Sequence, residues 1–455
     1  MSGETATEPF RTAGEAVAWI TSRMNLGIRP GLKRMEALME KFDHPERRLK
    51  FIHVAGTNGK GSTCAFLTHV LRKSGYDVGT FTSPYLGKYN NRIQYNLQPI
   101  DDETLLRLVN EIKPVYDEIA ASELGPPTMF EVSTTLALLY FAKVTYPDFV
   151  VWETGLGGRL DSTNVVVPLV SVITNVGHDH MEILGDSLAD VAREKAGIIK
   201  PGVPTVTAVE QPEALREIER TAAAKRSTLY VMGRQFGFEP ANVGLDSQSI
   251  HFYGPFRRLE NVPVSLNGAH QMKNAAISLM TIEVLRQYYA AIVEDEDLMA
   301  AMGSVTWPGR LELVSDSPRI LLDGAHNPEG AETLARALRE LYRYERLYMM
   351  VGMMRTKDHA GALAHLVPLA DALIVTEPVF AKKASAETLA ESARSVAERT
   401  GARADVIVEP DWKAALERLK RMTGPNDLAV VTGSLYLISD VRSLILQGTD
   451  SDKGW

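Results

Sequence analysis

The sequence predicts an α/β protein of two domains, each built on a mainly parallel sheet with helices on both faces. Short apolar runs typical of buried strands alternate with longer segments of helical periodicity along most of the chain. The length of 455 residues exceeds the usual size of one domain. The alternation stops near residues 303–308 and then restarts. We therefore place an N-terminal domain at 1–302, a linker at 303–309 and a C-terminal domain at 310–455.

Composition narrows the classes of function. A hydrophobic share of 45% with 23% charged residues is ordinary for a globular protein with real cores. The formal net charge of −8, without a dense run of Lys and Arg, argues against a general nucleic-acid binder. The single cysteine, Cys64, excludes an internal disulfide, fits a reducing cytosol and is interpreted as a small buried apolar residue. Residues 1–10 show no secretory signal and no stretch reaches membrane-spanning length, so we expect a cytoplasmic protein. We also expect it to be a monomer.

The N-terminal half is predicted to start with two helices that precede the first strand. The predicted helices lie at 12–24, 31–41, 64–71, 101–121, 128–143, 187–199, 212–225 and 273–289, and the predicted strands at 51–55, 77–82, 148–152, 169–174, 203–209 and 228–232. Residues 86–98 are polar with little periodicity, which predicts a surface loop. Residues 236–256 are interrupted by Gly and Pro, which suggests a small antiparallel patch.

The second half repeats the alternation of strands and helices. The predicted strands lie at 319–322, 347–351, 372–376, 404–408 and 428–432, and the predicted helices at 328–342, 359–366, 385–399, 411–421 and 436–446. In such sheets ligands bind at the carboxyl ends of the strands. Residues suited to chemistry follow strands directly, namely 56–62, Ser83, Glu153, His180, Asp323 and Ser434. This placement predicts one site shared by these strand ends.

The glycine-rich loop at 56–62 is the strongest local indication of function. Glycines let the backbone approach a polyphosphate, amides at a helix start point toward it, and Lys60 adds a positive charge. Ser62 could reach a magnesium ion. The strict phosphate-loop pattern is not met, because Val54 stands at its first glycine and Gly61 separates Lys60 from Ser62. An ordinary glycine-rich turn is the alternative, and we predict nucleotide binding.

Other strand-end side chains admit two interpretations when taken singly. Glu153 is placed where phosphate-loop enzymes hold a metal, although a solvated acid would look the same. Ser83 suits a metal or a turn cap equally. His180, from spacing alone, is more safely interpreted as a structural histidine, and Lys195 as an exposed helix lysine.

The start of the second half carries a further group of candidates. Arg310, at the domain junction, could reach a phosphate from the opposite side. Asp323 and His326 follow a strand and look like part of a site, although helix capping by Asn327 explains some of this pattern. The sequence has neither a nucleophile elbow with Ser, His and Asp in order nor the paired carboxylates of a glycosidase.

Taken together, the motifs resemble those of a known family. The glycine loop A-G-T-N-G-K-G-S-T (55–63) is similar to that of the folylpolyglutamate synthase/dihydrofolate synthase branch of the Mur ligase superfamily. Six further blocks agree in order: T-S-P (82–84), E-T-G-L-G-G-R-L-D-S-T-N (153–164), T-N-V-G-H-D-H-M-E-I-L-G (174–185), A-R-E-K-A-G-I-I-K-P-G (192–202), L-L-D-G-A-H-N-P (321–328) and G-S-L-Y (433–436). The resemblance extends from about residue 12 to residue 446. Tyr85, Thr154 and Ser162 depart from the residues that are commoner in the family.

The resemblance implies a fold and an activity. The fold would be an N-terminal P-loop ATPase domain followed by a Rossmann-like C-terminal domain. The activity would be ATP-dependent addition of L-glutamate to the terminal carboxylate of a folate through an acyl phosphate, with dihydropteroate as a second acceptor. A cell-wall Mur ligase and a non-catalytic nucleotide-binding regulator are the alternatives. The Lys-Gly-Ser loop favours the folate branch, and a regulator would have no reason to keep Glu153, His180, Lys195 and His326 together.

The resemblance also implies roles for individual residues. ATP would be held by Gly56, Thr57, Asn58, Gly59, Lys60, Gly61, Ser62, Asn274, Arg310 and Asp323. Magnesium would be held by Ser83, Glu153 and His180, with Ser62 close to the first ion and a carbamylated Lys195 at a second. The pterin would contact Phe130, Asp161 and Ser162, and the incoming glutamate would contact His326 and Ser434. Lys60, Lys195, Asp323 and His326 would act in catalysis.

Overall fold

The structure, a computed structural model, describes residues 8–245 and 247–451. Its first sheet has eight strands: β1 (Phe51–Ala55), β2 (Val78–Phe81), β3 (Ile93–Tyr95), β4 (Gln98–Pro99), β5 (Phe149–Glu153), β6 (Val170–Ile173), β7 (Thr205–Thr207) and β8 (Leu229–Val231). They are arranged in the order β4-β3-β2-β5-β1-β6-β7-β8, with only β3 and β4 antiparallel. Strands β1, β2, β5 and β6 are buried along their whole length, as expected of a parallel sheet covered on both faces.

Helices cover both faces of this sheet. They are α1 (Ala13–Thr21), α2 (Lys33–Lys41), α3 (Lys60–Lys73), α4 (Asp102–Ala120), α5 (Met129–Tyr140), α6 (Met181–Leu184), α7 (Leu188–Ala196), α8 (Pro212–Ala224), α9 (Ala269–Tyr289) and α10 (Asp295–Met302). Short 3-10 helices lie at Ser22–Leu26, Pro45–Arg48, Tyr89–Arg92 and Ser162–Val165, and a π-helical turn at Phe141–Thr145. One apolar core forms around α3 and α9, and another around α1, α2, α4 and α5.

The second half forms a separate sheet. A small antiparallel sheet of β9 (Gly237–Asn242), β10 (Gln248–Tyr253) and β11 (Arg258–Val264) comes before it. The second sheet contains β12 (Glu312–Asp316), β13 (Arg319–Leu322), β14 (Leu347–Val351), β15 (Ala372–Glu377), β16 (Asp405–Asp411) and β17 (Leu428–Thr432), in the order β12-β13-β17-β14-β15-β16. Its helices are α11 (Pro328–Leu341), α12 (His359–Leu366), α13 (Ala386–Thr400), α14 (Trp412–Met422) and α15 (Leu435–Gln447), with a 3-10 turn at Val367–Leu369. Only β12 is antiparallel to its neighbour.

The predicted α/β fold with two mainly parallel sheets is confirmed, and most predicted elements lie within a few residues of the observed ones. The antiparallel patch within 236–256 is also confirmed, and Cys64 is buried as predicted. Within the described ranges, no helix combines the length and the apolar character needed to cross a bilayer.

The surface loop predicted for residues 86–98 is wrong. This segment holds the 3-10 helix Tyr89–Arg92 and the strands β3 and β4, and the side chains of Tyr89, Arg92 and Ile93 are buried. Elements of two to four residues are too short to show a periodicity. Strand β12 and helix α10 were also not predicted, because β12 is a partly exposed edge strand and α10 is a helix of eight residues with only three buried positions.

Trp152 lies at the centre of the first domain's core and provides a test of it. Its fully buried ring packs against Phe51 and Phe81 at centroid distances of 5.4 and 4.6 Å, and its Nε1 donates to the carbonyl of Thr163 at 3.1 Å. We expect Trp152→Ala to lower the free energy of unfolding by about 3–5 kcal/mol in urea denaturation. The matched control Val167→Ala, at a position that is 71% exposed, should change it by less than about 0.5 kcal/mol. Equal losses in the two variants would contradict this account of the core.

Candidate active site

The loop between β1 and α3 is shaped by glycines that allow close backbone approach. A β-carbon at position 56 would lie 1.8 Å from Oγ1 of Thr174, and one at position 59 would lie 2.5 Å from Oδ1 of Asn274. Gly59 caps α3 with a φ of 83°, in the left-handed region that glycine adopts without strain. The loop therefore turns tightly between the end of β6 and the start of α9, and the free amides at the start of α3 suit an anion.

Side chains outside the motif hold the loop in place. Asn175 accepts hydrogen bonds from the amides of Thr57 and Asn58 at 3.1 and 2.8 Å. Thr174 donates through Oγ1 to the carbonyl of Asn58 at 2.7 Å. Lys60 donates through Nζ to the carbonyl of Gly56 at 2.9 Å, so its ammonium lies over the loop itself. Thr174 and Asn175 were not predicted from the loop motif, because they follow β6 more than a hundred residues later.

The glycine that breaks the strict phosphate-loop pattern has a structural reason. A β-carbon at position 61 would lie 2.8 Å from Cζ2 of Trp307. The indole of the linker region thus packs directly on the first turn of α3. Ser62, next along the helix, is buried and accepts from Nε2 of Gln271 at 3.2 Å, and Gln271 in turn accepts from Nδ2 of Asn274 at 2.9 Å. The structure therefore brings Ser62, Asn274 and the linker to the same loop.

Glu153 and Ser83 meet at the ends of β5 and β2. The amide of Ser83 donates to Oε2 of Glu153 at 3.0 Å. Burial raises the pKa of Glu153 to about 7, while Lys60, the Ser83 amide and Arg310 act in the opposite direction. A buried carboxylate near neutral pKa is a group that a bound cation would stabilise in its ionised form.

A cluster of charged side chains joins the two halves of the chain. Lys357, in the loop before α12, donates through Nζ to Oδ1 of Asp179 at 2.7 Å and lies 3.2 Å from Nε2 of His180. Because an ammonium group can only donate hydrogen bonds, Nε2 of His180 is unprotonated and accepts this hydrogen bond through its lone pair. Nε2 of His326 lies 3.6 Å from Oδ2 of Asp179. Burial alone would raise the pKa of Asp179. The contacts of its carboxylate with His326 and Lys357 have a larger, opposite effect, so the pKa is lowered.

Lys195 is not an exposed helix lysine, so the interpretation from spacing alone is wrong. Its side chain on α7 is only 3% exposed. Burial, and then the charge of Lys60, lower its pKa to about 7, while Asp179 and Asp161 oppose this change. A large share of Lys195 is therefore a neutral, nucleophilic amine near neutral pH, whereas an ordinary lysine is fully protonated.

Asp323 directly follows β13, and Ser434 lies at the start of α15. The buried carboxylate of Asp323 accepts from the amides of Leu311 and Ala325 at 3.1 and 2.9 Å. Burial raises its pKa, and Arg310 is the strongest opposing influence. Ser434 is buried and caps α15 by accepting from the amide of Tyr436 at 3.0 Å. The structure thus places Arg310 beside Asp323 and gives Ser434 a capping role.

The residues predicted for the pterin gather around the loop that follows β5. The ring of Phe130 lies against Gly155, where a β-carbon would be 2.6 Å from it. Asp161 accepts from the amides of Gly155 and Leu156 through Oδ2 and from the amide of Thr163 through Oδ1. Asp161 therefore fixes the shape of this loop. Ser162 begins the short helix that Asp161 caps.

The side chains of Glu153 and Ser83 are compatible with a magnesium ion that is bound jointly by the protein and a nucleotide. Among the described residues, no three His, Cys, Asp or Glu side chains are grouped so that they could hold a metal by themselves. Mg²⁺ typically takes one or two protein carboxylates and completes its shell with phosphates and water. The buried carboxylate of Glu153 beside Ser83, close to the phosphate loop, meets that requirement.

Comparison with known proteins agrees with this geometry. The Mur ligase middle domain matches residues 54–282, and the Mur ligase glutamate ligase domain matches 309–435. The dihydrofolate synthase/folylpolyglutamate synthase of Bacillus subtilis is 41% identical over 440 residues, which cover 95% of this chain and 99% of that protein. The chain belongs to the folylpolyglutamate synthase/dihydrofolate synthase branch of the Mur ligase family. The family predicted from the sequence blocks is therefore confirmed.

Solved structures of this Mur ligase branch have the same fold. The folylpolyglutamate synthase of Mycobacterium tuberculosis, complexed with ADP and AMPPCP, is 28% identical with a TM-score of 0.88 and covers 96% of this chain and 99% of that one. The Escherichia coli protein in complex with DHPP and ADP is 28% identical with a TM-score of 0.84 and covers 97% of this chain and 99% of that one. Relatives of this Mur ligase chain thus bind adenine nucleotides.

The raised pKa of Glu153 predicts a pH-dependent stability. A carboxyl group whose folded pKa is about 7 instead of 4.5 stabilises the fold below pH 4.5, and this stabilisation is lost as the pH rises through 7. Glu153→Gln removes this loss. The stability of the variant relative to the parent, measured as the free energy of unfolding, should therefore be about 2.5 kcal/mol greater at pH 8 than at pH 5. Urea denaturation in chelator-containing buffer measures this difference.

The exposed carboxylate Glu213, replaced by Gln, is the matched control and should show little difference between the two pH values. A Glu153→Gln effect that is the same at pH 5 and pH 8 would show that Glu153 does not titrate as the burial implies.

Proposed function

We propose that this chain is an ATP-dependent ligase that joins L-glutamate to the terminal carboxylate of a folate through an acyl phosphate, and that dihydropteroate is a second acceptor. The observation that carries the proposal is that Lys60 of the glycine loop influences both the buried Glu153 and the buried Lys195. Asp179, which also influences Lys195, contacts Lys357 and His326 of the second half. The 41% identity to a dihydrofolate synthase/folylpolyglutamate synthase over nearly the full length supports it. A cell-wall acceptor is the alternative within the superfamily, and the relatives' names favour the folate.

The phosphates of ATP would be bound by the loop at 56–62 and the first turn of α3. Lys60 now donates to loop carbonyls, and an incoming phosphate would be a stronger acceptor for its ammonium. Asn274 reaches the loop at Gly59, while Arg310 and Asp323 would contact ATP from the second half. A nucleotide bound in this way would have its terminal phosphate next to Glu153.

Magnesium, held by Ser83, Glu153 and His180 with Ser62 nearby, would neutralise charge on the phosphates. Lys195 would supply a second anionic group by carbamylation, in which its neutral amine attacks carbon dioxide and releases a proton. The lowered pKa of Lys195 favours this reaction because only the neutral amine is nucleophilic. The resulting carbamate would carry a negative charge close to Lys60.

Amide formation then requires two anionic substrates to approach each other. The acceptor carboxylate attacks the terminal phosphorus of ATP and ADP leaves. The amine of glutamate next attacks the acyl carbon, phosphate leaves and an amide remains. His326 and Ser434 would place the glutamate, and Phe130, Asp161 and Ser162 the pterin. Apposed domains would keep water from the acyl phosphate.

Other assignments remain proposals of the same kind. The two separate sheets support the bounds of 1–302 and 310–455 for the domains, with a linker at 303–309. The substrates would be small molecules, and the protein a cytoplasmic monomer.

One assay tests the activity. We expect ADP release to require both L-glutamate and a reduced folate or dihydropteroate, with radioactive glutamate incorporated in equal amount. UDP-muramyl acceptors and reactions without glutamate serve as controls and should give only background release. Incorporation that proceeds with UDP-muramyl acceptors and not with pteridine acceptors would refute the folate assignment.

Lys195 provides a second test. Lys195→Ala should lower kcat by at least about a hundredfold, because a buried charged group at the phosphates is removed. A short carboxylic acid added to the assay should restore part of the activity by replacing the carbamate. The exposed lysine Lys225, replaced by Ala, is the control and should retain full activity. Undiminished turnover by Lys195→Ala would remove this residue from the site.

A further inference from the structure

His53 is a fully buried imidazole in the middle of β1, and the proposed mechanism does not use it. It pairs with Trp152 of β5 and with Ser171 of β6, so it lies inside the first sheet. Such strands are ordinarily apolar throughout, because a buried polar group costs free energy unless it is hydrogen bonded. Burial, and then the charge of Lys200, lower the pKa of His53 to about 3, so the ring is neutral.

The hydrogen bonds of His53 lead to Asp161. Nε2 of His53 lies 2.9 Å from Oγ1 of Thr163, and the same hydroxyl is hydrogen bonded to Oδ1 of Asp161. Nδ1, the other ring nitrogen, has no hydrogen-bond partner among the residues that the structure describes. The side chain of Thr163 is therefore the one through which the imidazole acts on its surroundings.

The direction of this chain follows from the contacts of Asp161. Its Oδ2 accepts from the amides of Gly155 and Leu156 at 3.1 and 2.8 Å, and its Oδ1 accepts from the amide of Thr163 at 3.0 Å. Burial raises the pKa of Asp161, and the Thr163 hydroxyl and these amides oppose the rise because they favour the ionised carboxylate. A carboxylate only accepts, so the hydroxyl donates to it and has only lone pairs left for Nε2 of His53. Nε2 is therefore protonated and donates to Thr163.

Thr163 is thus held by the sheet at two points. His53 of β1 donates to its hydroxyl, and Nε1 of Trp152 on β5 donates to its carbonyl at 3.1 Å. The indole fixes the backbone of Thr163, whereas the imidazole fixes the side chain that reaches Asp161. His53 is therefore the residue of the sheet through which the carboxylate of Asp161 is oriented.

Asp161 in turn shapes the loop at residues 154–162. Its Oδ2 closes the loop onto itself through two amides, and Gly155, one of these donors, lies against the ring of Phe130. The function proposed above assigns the pterin of the acceptor to Phe130, Asp161 and Ser162. The shape of this loop would therefore set the shape of that pterin site.

We propose that His53 is a positioning residue for the acceptor: it donates to Thr163, and through it holds Asp161 and residues 154–162 in the shape that receives the pterin. The inference rests on the proposed function, which places the pterin against this loop. His53 contacts no reacting group in this account, so its loss should weaken acceptor binding and leave the chemical step intact. Dihydropteroate and tetrahydrofolate both carry a pterin and should be affected equally.

Removal of the donor tests this role. His53→Leu fills the site without a donor and should raise KM for dihydropteroate and for tetrahydrofolate about tenfold, as expected for the loss of one buried hydrogen bond. The value of kcat and KM for ATP and for glutamate should change by no more than about twofold. Thr163→Val should give the same rise, and the double variant should rise no further, because both changes break the same chain.

A matched control loses a buried hydroxyl elsewhere in the same sheet. Thr205 on β7 is fully buried, and its hydroxyl is hydrogen bonded to that of Ser227 at 2.9 Å. Thr205→Val should leave all the KM values unchanged, since this bond does not reach the loop at residues 154–162.

A pair of amide variants separates the hydrogen bond from the fold. The side-chain nitrogen of glutamine reaches about as far as Nε2 of an imidazole, whereas that of asparagine reaches only about as far as Nδ1. His53→Gln should therefore keep KM for both acceptors within about threefold of the parent, and His53→Asn should show the full rise. Because the two side chains end in the same polar group, this comparison also serves where His53→Leu does not fold.

Amide hydrogen exchange reports on the loop without any substrate. In His53→Asn, the amides that donate to Asp161 should exchange at least about tenfold faster than in the parent, while those of the glycine loop at 56–62 keep their rates. His53→Gln and Thr205→Val should both exchange like the parent.

The outcomes decide the role of His53. Equal KM values for the acceptors in His53→Gln and His53→Asn would overturn the proposal. A fall in kcat or a rise of KM for ATP as large as the rise for the acceptors would also overturn it and reduce His53 to a structural residue. Unchanged exchange of the amides bonded to Asp161 in a folded His53→Asn would have the same consequence. A parent protein that ligates glutamate to neither acceptor would refute the proposed function, and the exchange rates would still decide whether His53 holds the loop.

Discussion

Close packing around the glycine loop is the constraint on which the rest of the site depends. Each of its glycines lies against a different part of the fold: Gly56 against Thr174 after β6, Gly59 against Asn274 on α9, and Gly61 against Trp307 beside the linker. A side chain at any of these positions would push the loop away from one neighbour. The loop is therefore the point where the first sheet, its longest helix and the connection to the second sheet are fixed relative to one another.

The chemistry of the site follows from keeping charges out of water. Burial raises the pKa of Glu153 and lowers that of Lys195, so an acid and a base of very different ordinary strength both titrate near pH 7. Lys60 influences both, since its charge favours the carboxylate and disfavours the ammonium. Such groups reduce the stability of the protein without its ligands, and bound cations and phosphates would compensate for them.

The sequence predicted the strand ends well and the contacts between them poorly. Parallel strands are long apolar runs, so β1, β5 and β17 could be located together with the residues that follow them. Asn175 and Lys357 were missed because their partners lie in other elements, and no local pattern marks such pairs. Arg92 was missed for a different reason: it lies among elements of two to four residues, whose burial is decided by the helices packed over them and not by their own polar composition.

Contacts across the cleft show why a single domain could not form this site. Asn58 of the glycine loop and Asn327 at the start of α11 exchange hydrogen bonds through their amide groups at 3.2 and 3.1 Å. Asp179 contacts Lys357 and His326 from the opposite half. A residue of the glycine loop and the residue that caps α11 are thus one hydrogen bond apart. Any movement of the second sheet must break these bonds or carry the loop with it, so the position of the glycine loop is coupled to that of the second half through Asn58 and Asp179.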